Sequence, residues 1–382
     1  MKKIVFVTFH NWETKRQGGF HKLAEAACLK GYETIFFSFS RPYYIYFKNE
    51  ERLNEKVLNR LTKGVKYKVG SNEILNITFP TLSLPGPLRK VIPTSLDIWL
   101  QKKSLYSFKK FAKKQFANTD YFVFESNESI LLFHKIKEIF PKSKYIYRPS
   151  DPLLANPQKR ISKYEKNILL NVDWTFLVNI QGFQLYKKHI PDFEIQSNFS
   201  ILPNGVFLHE YQKKYVVPEP LKNKNTVLYV GARDIEWNLI VNASKKMKTF
   251  NFVIICPENP PKSFIEHVQN YSNLTYINGI NSNNVPAWVT NCDVIVVPNP
   301  KNRYKTKPWG ITAKYYQAMA AQKPIITYHD TPELEKYGIA CTYDYDSFIS
   351  ELKNCDFLKS VNYNFNFEEK DWKNITKQFF TK

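Results

Sequence analysis

A proline-rich loop carries a carboxylate in a setting that suits a general base. The segment YRPSDP, residues 147–152, follows a short aromatic and aliphatic run. Because each proline disfavours a helical conformation in the residue before it, Ser150 and Asp151 are predicted to lie on an extended turn at the end of a strand. A carboxylate fixed there can accept a proton from a hydroxyl group, which makes Asp151 the candidate catalytic residue. Two alternatives stay open: Asp151 serves only as a turn or cap residue, or Arg148 pairs with it and weakens it as a base.

A second candidate site lies in the C-terminal half, where a helix is predicted over residues 311–321, directly after Gly310. The amino end of a helix favours an anion because its backbone N–H groups and its dipole point there. Lys314 falls in the first turn, where a diphosphate would bind. Gln317 lies one turn further on the same face and is placed to hydrogen-bond a ribose. The alternative is a solvated lysine and glutamine on an ordinary surface helix.

A short glycine turn is expected to complete this second site. Residues 226–230 (TVLYV) are predicted to form a strand, and Gly231-Ala232-Arg233 follow it directly. A turn of small residues lets the backbone approach a phosphate closely, and the Arg233 guanidinium offers two parallel hydrogen bonds to it. A pattern this short is weak evidence for a phosphate site when taken alone. It gains weight because Gly231 and Arg233 are predicted to face Lys314 across one binding cleft.

Two parallel β-sheets are needed to position these candidates. Strand-like runs alternate with helical patterns in both halves of the chain. They occur at residues 3–9, 34–38, 121–125, 144–147, 226–230, 252–256, 274–277, 293–297 and 324–327. This alternation predicts an α/β fold of two doubly wound, Rossmann-like domains, with binding sites at the carboxyl ends of the strands and in the cleft between the domains.

The domain boundary is predicted at the turn that contains Asn204-Gly205. We expect an N-terminal domain over residues 1–205 that binds the acceptor and faces the membrane. A C-terminal domain over residues 206–365 would bind the nucleotide. A closing helix within residues 366–382 is expected to pack back on the N-terminal domain.

Residues 97–116 form a basic amphipathic stretch. Its apolar side chains approximate one face of a helix: Ile98, Trp99, Leu105, Phe108, Phe111, Ala112 and Phe116. Lysines occupy much of the rest: Lys102, Lys103, Lys109, Lys110, Lys113 and Lys114. The pattern is typical of a helix lying in a membrane interface on anionic lipid. The alternative is a core-facing helix with a solvated lysine face.

The loop after the first predicted strand offers a third group of candidates. His10, Trp12 and Arg16 lie there and are predicted to bind an acceptor substrate or the anionic lipid that carries it. The alternative is a structural role, which is the more frequent one for an isolated histidine.

Composition indicates a folded protein with an acidic partner. The 382 residues are 43% hydrophobic and 23% charged, and 55 Lys and Arg against 34 Asp and Glu give a net charge of +21. This excess favours nucleic acid, anionic lipid or an anionic small molecule as the partner. No helix-turn-helix, zinc-finger or RNA-recognition pattern occurs, so nucleic acid is not expected.

Cysteine usage and hydropathy argue against a disulfide-bonded, metal-binding, secreted or membrane-spanning protein. The five cysteines are scattered and odd in number, with no CxxC spacing, so neither a disulfide framework nor a metal site is expected. A reducing cytosol fits this usage best. The apolar run at the start is too short for a signal peptide, and no stretch has the length to cross a bilayer. We expect a cytoplasmic protein, peripheral on the inner face of the cell membrane.

Several of these residues resemble the glucuronosyltransferases that build bacterial exopolysaccharide, the family of the xanthan enzyme. The N-terminal residues that carry the resemblance are His10, Thr14, Arg16 and His21 leading to Gly31, and the blocks VFES (123–126) and YRPSD (147–151). In the C-terminal half, Lys314 and Gln317 fit the nucleotide-binding helix of that family. The resemblance runs over most of the chain at low identity.

The resemblance implies a GT-B fold and a metal-independent, inverting transfer of a sugar from a UDP-sugar to a lipid-diphosphate-linked oligosaccharide. It further implies that Asp151 is the general base and that Lys314 and Gln317 contact the nucleotide. The implied partners are the UDP-sugar, the lipid-linked acceptor and an anionic membrane surface, with no metal or other cofactor.

The chain departs from the family in the donor pocket. Gly279-Ile280-Asn281 stand where the family has an acidic residue followed by Met, and Pro298-Asn299 stand where a tyrosine is expected. Glucuronic acid is therefore one candidate donor sugar, and a hexose such as glucose is the alternative.

A second comparison concerns the stereochemical outcome. Retaining GT-B enzymes usually carry two glutamates eight positions apart around the nucleotide-binding helix, where this chain has Trp309 and Gln317. This difference favours inversion. A retaining enzyme and an inactive scaffold that only binds lipid, nucleic acid or partner chains remain as alternatives.

Overall fold

The computed structural model describes residues 1–14, 17–47, 64–156, 160–222, 225–232, 234–301, 311–356 and 360–380. The chain divides into two compact units, Met1–Pro203 with Ile375–Lys382, and Asn204–Asn374. The division falls at Pro203 where residue 205 was expected, and the C-terminal residues grouped with the first unit begin at Ile375 rather than at residue 366.

The first unit contains an eight-stranded sheet. In chain order its strands β1 to β8 are Lys3–Thr8, Glu33–Pro42, Val65–Val69, Asn72–Thr81, Tyr121–Glu125, Lys144–Arg148, Trp174–Leu177 and Phe199–Ile201. Their spatial order is β3-β4-β2-β1-β5-β6-β7-β8, and β3 alone runs antiparallel to its neighbour. The central strand β1 is fully buried from Ile4 to Val7, which explains why its sequence is continuously apolar rather than alternating.

Helices accompany this sheet. The α-helices are Gly19–Leu29, Gly86–Val91, Thr94–Lys102, Phe108–Gln115, Phe133–Ile139, Lys163–Leu169, Ile180–His189 and Phe193–Gln196. Short 3-10 helices are Tyr43–Phe47, Glu128–Leu132 and Leu153–Ala155. The final helix, Trp372–Phe380, ends in the first unit, where Phe380 stacks on Tyr32 with ring centroids 4.2 Å apart.

The basic stretch at residues 97–116 forms two helices rather than one. The backbone is extended at Lys103 (φ −97°, ψ 149°), and a new helix begins after Ser107, whose hydroxyl accepts a hydrogen bond from the Lys110 N–H. The core-facing alternative is correct for four of the predicted apolar positions, which are buried: Ile98, Phe108, Ala112 and Phe116. Trp99 and Leu105 are instead 51% and 76% exposed.

The second unit contains a six-stranded sheet in which all pairs are parallel. Its strands β9 to β14 are Thr226–Val230, Asn251–Ile255, Leu274–Ile277, Val294–Pro298, Ile325–Tyr328 and Ala340–Thr342, in the spatial order β11-β10-β9-β12-β13-β14. Its α-helices are Leu208–Tyr211, Trp237–Lys246, Lys262–Asn270, Val285–Asn291, Ala313–Ala320, Tyr345–Asn354, Phe367–Lys370 and the start of Trp372–Phe380. The 3-10 helices are Glu219–Leu221, Ser282–Asn284 and Pro332–Tyr337.

Both sheets reverse their strand order once along the chain. In the first unit the reversal lies between β1 and β5, and in the second between β9 and β12. Loops leaving such a pair of strands at their carboxyl ends diverge, which opens a crevice where ligands of doubly wound domains bind. The predicted α/β class with two doubly wound domains is confirmed, and these two points are where functional side chains should be sought.

The predicted strands lie where the apolar runs placed them, within a few residues at their ends. In the part of the chain that the structure describes, no helix combines the length and the apolarity needed to span a bilayer.

Candidate functional site

Polar side chains end three neighbouring strands of the first sheet at its reversal point. Strand register pairs Val7 with Phe124 and Glu125 with Arg148, so Thr8, Glu125 and Arg148 reach the same edge. All three residues are buried, with exposed fractions of 0%, 7% and 0%. Buried polar and charged groups are stable only when they are hydrogen-bonded, so the edge must be an ordered network.

Glu125 is the centre of this network. Its Oε2 accepts hydrogen bonds from the Thr8 hydroxyl at 2.5 Å and the Asn127 amide at 2.7 Å, and its Oε1 accepts one from the Ser150 hydroxyl at 3.3 Å. These donors satisfy the hydrogen-bonding capacity of the buried carboxyl group. Sequence reasoning missed Glu125, because its partners Thr8 and Ser150 are distant along the chain.

Asp151 lies on the turn directly after β6 and is exposed. Its backbone N–H donates to the Ser126 hydroxyl at 3.1 Å, while the neighbouring Ser150 hydroxyl donates to Glu125. Two hydrogen bonds thus tie the turn to the end of β5. The result is a solvent-accessible carboxylate on a backbone whose position is fixed, as a general base requires.

A second buried carboxylate holds the chain just after Asp151. Glu165 is fully buried and accepts hydrogen bonds from the hydroxyls of Tyr147 and Tyr186, at 2.7 and 2.6 Å, and from the Leu154 N–H at 2.6 Å. Burial raises the pKa of Glu165, and these hydrogen bonds oppose the rise. Because the Leu154 N–H belongs to the short helix that follows Asp151, Glu165 anchors the far side of the loop.

The Arg148 side chain reaches the residues that directly follow β8. Its Nη2 donates to the carbonyl oxygens of Leu202 and Pro203, at 3.2 and 3.3 Å. Burial lowers the pKa of Arg148 to about 10, and the charge of Glu125 opposes this shift. The guanidinium is therefore charged at neutral pH and joins the end of β6 to the residues that follow β8.

Among the residues predicted in the loop after β1, His10 lies next to this network. The Nε2 of His10 lies 4.0 Å from Oε2 of Glu125, and the His10 N–H donates to the Thr8 hydroxyl at 3.2 Å. Trp12 is 7% exposed and packs edge-on against Phe36. Its part in binding an acceptor, or the lipid that carries it, stays a prediction. Arg16 lies outside the described residues.

In the second unit, Gly231 and Lys314 meet around Tyr229. The Lys314 Nζ lies 4.9 Å from the centroid of the Tyr229 ring, and the tip of the same ring occupies the space next to Gly231. Lys314 and Gln317 are half-buried on the helix Ala313–Ala320, which begins at residue 313 rather than at 311 as predicted. Arg233 and Gly310 lie outside the described residues.

A buried carboxylate also organises this second edge. Oδ2 of Asp330, just after β13, accepts hydrogen bonds from the Asn299 amide at 2.6 Å and from the Tyr315 hydroxyl, and its Oδ1 accepts the Thr331 N–H at 2.8 Å. Asn299 directly follows β12, and Tyr315 lies beside Lys314 on the helix. The network fixes the first turn of the helix that carries Lys314 and Gln317. Sequence reasoning missed Asp330 and treated Asn299 only as a departure from a family pattern.

Acidic and histidine side chains in these networks do not gather into a metal centre. Among the residues that the structure describes, no group of three or more His, Cys, Asp or Glu side chains could hold a metal ion.

One protein family matches the first unit. Residues 6–178 match the family described as glucuronosyltransferase GumK, N-terminal domain. The match spans less than half of the chain and includes Glu125 and Asp151. No curated protein matches the chain by sequence.

The solved structures that resemble the chain share the fold of GT-B glycosyltransferases. An α,α-trehalose-phosphate synthase (UDP-forming) from Burkholderia xenovorans in complex with glucose-6-phosphate matches with a TM-score of 0.65 at 10% identity, covering 100% of this chain and 99% of that one. Anabaena Alr3699/HepE in complex with UDP and glucose matches with a TM-score of 0.59 at 12% identity, covering 99% and 95%. The UDP-GlcNAc 2-epimerase from Methanocaldococcus jannaschii matches with a TM-score of 0.53 at 10% identity, covering 100% of both chains. At such identities the likeness concerns the fold alone, and the epimerase is a reminder that one fold hosts several reactions.

Replacing Glu165 by Gln tests whether this carboxylate anchors the Asp151 loop. The carboxamide cannot accept from the two tyrosines and from the Leu154 N–H without turning its own NH2 group toward one of these donors. We expect the variant to lose about 1–3 kcal/mol of unfolding free energy in urea. Hydrogen exchange at the Leu154 amide should also accelerate. Glu138→Gln, an exposed position on the helix Phe133–Ile139, is the control and should change stability by no more than about 0.5 kcal/mol. Unchanged exchange at Leu154 would contradict the anchoring role.

Proposed function

We propose that this protein is an inverting, metal-independent glycosyltransferase. It moves a sugar, with glucuronic acid as a candidate, from a UDP-sugar to a lipid-linked oligosaccharide in the synthesis of a bacterial exopolysaccharide or capsule. The single observation that carries the proposal is the exposed Asp151 carboxylate on a turn fixed to the end of β5, within the residues that match the N-terminal domain of a glucuronosyltransferase. The GT-B fold of the whole chain supports the same reaction class.

The reaction assigns one task to each sheet edge. Asp151 accepts the proton of the acceptor hydroxyl as that oxygen attacks the anomeric carbon. A new carbon–oxygen bond forms on the face opposite the nucleotide, and the bond between the anomeric carbon and the UDP oxygen breaks. The electron pair of the broken bond leaves with UDP, and the configuration at the anomeric carbon inverts.

Positive groups of the second unit stabilise the departing diphosphate. Lys314 lies in the first turn of a helix whose dipole also favours an anion at that end. Arg233 and Gln317 are proposed to complete the nucleotide contacts. In this scheme the lysine and the helix end take the place that a metal ion occupies in metal-dependent transferases.

The proposals on the stereochemical outcome and on the donor sugar are argued from the sequence. The pair of glutamates that retaining GT-B enzymes usually carry is replaced by Trp309 and Gln317, which favours inversion. The differences at residues 279–281 and 298–299 leave UDP-glucose as the alternative donor. NMR assignment of the anomeric configuration of the product separates inversion from retention.

Exposed apolar side chains next to lysines support the membrane part of the proposal. On and between the helices Gly86–Val91, Thr94–Lys102 and Phe108–Gln115, six large apolar side chains are exposed: Leu88, Val91, Leu96, Trp99, Leu105 and Tyr106. The same part of the chain carries six exposed lysines: Lys102, Lys103, Lys109, Lys110, Lys113 and Lys114. The Lys103 ammonium lies 5.5 Å from the centroid of the Trp99 ring. We call these twelve residues the basic–aromatic surface. Apolar side chains among lysines suit the interface of an anionic bilayer, where the lipid-linked acceptor would be found.

Replacing Asp151 by Asn tests the proposed base. The amide keeps the size of the side chain but cannot take a proton, so we expect turnover to fall by about 100- to 10,000-fold. The affinity for UDP should stay within about twofold, because the nucleotide binds the other unit. UDP release is measured with UDP-glucuronate and UDP-glucose, using lipid-linked saccharides extracted from bacterial membranes as acceptor. Glu138→Gln is the matched control, and wild-type turnover in the Asp151 variant would remove this residue from the mechanism.

The basic–aromatic surface predicts binding to anionic vesicles. The protein should sediment with vesicles that contain phosphatidylglycerol, and poorly with pure phosphatidylcholine. The double variant Trp99→Ala/Leu105→Ala should lose most of this binding, and each Lys→Gln change at Lys102, Lys103, Lys109 or Lys110 should weaken it by about 1 kcal/mol. Ile195→Ala, at an apolar side chain that is 82% exposed elsewhere in the first unit, is the control. Equal sedimentation of the double variant and this control would contradict the membrane proposal.

A further inference from the structure

Tyr229 fills the space that any side chain at residue 231 would need. It is a buried residue of β9, 1% exposed, and its ring extends to the end of the strand. A Cβ atom on residue 231 would lie 2.3 Å from the Tyr229 hydroxyl oxygen and 2.6 Å from its Cζ. Both distances are far below ordinary contact, so only glycine fits while the ring keeps this place.

The backbone gives no separate reason for glycine at this position. Gly231 is not among the residues with positive φ, so its backbone conformation is open to other amino acids. The sequence pattern suggested instead that Gly231 admits a phosphate. The structure shows a neighbouring aromatic ring in the space beside it.

The same ring contacts the lysine proposed to bind the nucleotide. The Lys314 Nζ lies 4.9 Å from the centroid of the Tyr229 ring, within the range of a cation–π interaction. A lysine side chain has several rotatable bonds and loses much conformational entropy when it is held in one place. A buried ring in contact with the ammonium group restricts it before any ligand arrives, and preorganisation of this kind strengthens binding.

We propose that Tyr229 is a positioning residue that holds Lys314 for the diphosphate of UDP, and that residue 231 is glycine to make room for the Tyr229 ring. This inference rests on the proposed function, in which Lys314 binds the nucleotide. It assigns a role to a buried tyrosine through its contact with Lys314. It also changes the role of Gly231 from a phosphate contact to a support of Tyr229.

Affinity for UDP, measured by calorimetry in buffer with EDTA, tests the inference. Tyr229→Leu removes the ring and should weaken UDP binding about 3- to 30-fold, whereas Tyr229→Phe keeps the ring face and should bind within about twofold of the wild type. Lys314→Ala should weaken binding about 10- to 100-fold, because a charge-assisted contact is lost. Tyr345→Leu is the matched control, since Tyr345 also lies under a lysine, with Lys246 Nζ 5.3 Å from its ring centroid. This control should leave the affinity for UDP unchanged.

A double-mutant cycle with Gly231→Ala separates the two roles of the glycine. If Gly231 supports Tyr229, the alanine displaces the ring and weakens UDP binding in the wild type. In the Lys314→Ala background, Gly231→Ala should then cause little further loss of UDP affinity. If residue 231 meets the phosphate directly, the alanine costs the same factor in both backgrounds. This cycle needs no replacement of the buried tyrosine, so it remains decisive even if Tyr229→Leu does not fold.

Each result of the cycle decides for or against the inference. Non-additive loss in the cycle, with Tyr229→Phe near the wild type, supports it. Additive loss, or wild-type affinity in both Gly231→Ala and Tyr229→Leu, overturns it while leaving the nucleotide site in place. If the wild-type protein binds no UDP, both the inference and the proposed nucleotide site are overturned. The titration of the wild type with UDP therefore separates this outcome from the others.

Discussion

A carboxyl group can be buried at the end of a β-strand only if hydrogen-bond partners surround it, and this requirement organises the first unit. Glu125 meets it with donors from residues after three different strands. Thr8 ends β1, Asn127 follows β5 and Ser150 follows β6. Satisfying one carboxylate therefore holds three neighbouring segments at fixed places. Asp151, the exposed carboxylate of this edge, owes its position to that arrangement.

The second unit meets a similar requirement with different residues. Asp330 receives hydrogen bonds from Asn299 after β12, from Tyr315 on the following helix and from the Thr331 N–H. In each unit a buried carboxylate near the reversal of the strand order thus joins the elements around it. The group proposed to meet a ligand is more accessible, with Asp151 exposed and Lys314 half-buried. Placing the structural charge in the interior and the functional charge near solvent is consistent with a rigid site that still admits a substrate.

Sequence reasoning recovered the architecture because the signals for it are local. Continuous apolar runs such as residues 3–8 mark strands buried on both faces, and the prolines at 149 and 152 mark the turn that carries Asp151. The hydrogen-bond centres were missed because their partners are far apart in the chain: Thr8 and Glu125 are 117 residues apart, and Asn299 and Asp330 are 31 apart. A single carboxylate at the end of an apolar run does not reveal which donors the fold will bring to it.

Patterns that depend on a break in a helix were also misjudged. The stretch 97–116 was treated as one helix with one apolar face, and on that basis Trp99 and Phe108 were equivalent. The extended residue Lys103 divides it, so Phe108 enters the core while Trp99 remains exposed. The burial of Trp12 against Phe36 was likewise not predictable, because the polar loop around Trp12 does not reveal which distant ring it meets.

In the proposed mechanism each sheet edge has its own task, with acceptor chemistry at Asp151 and nucleotide binding at Lys314. A crystal structure of the protein with UDP, grown without divalent metal, tests this division most directly. We predict that the diphosphate lies at the amino end of the helix Ala313–Ala320, within hydrogen-bonding distance of Lys314 Nζ. A diphosphate bound instead at the edge formed by Thr8, Glu125 and Asp151 would contradict the account.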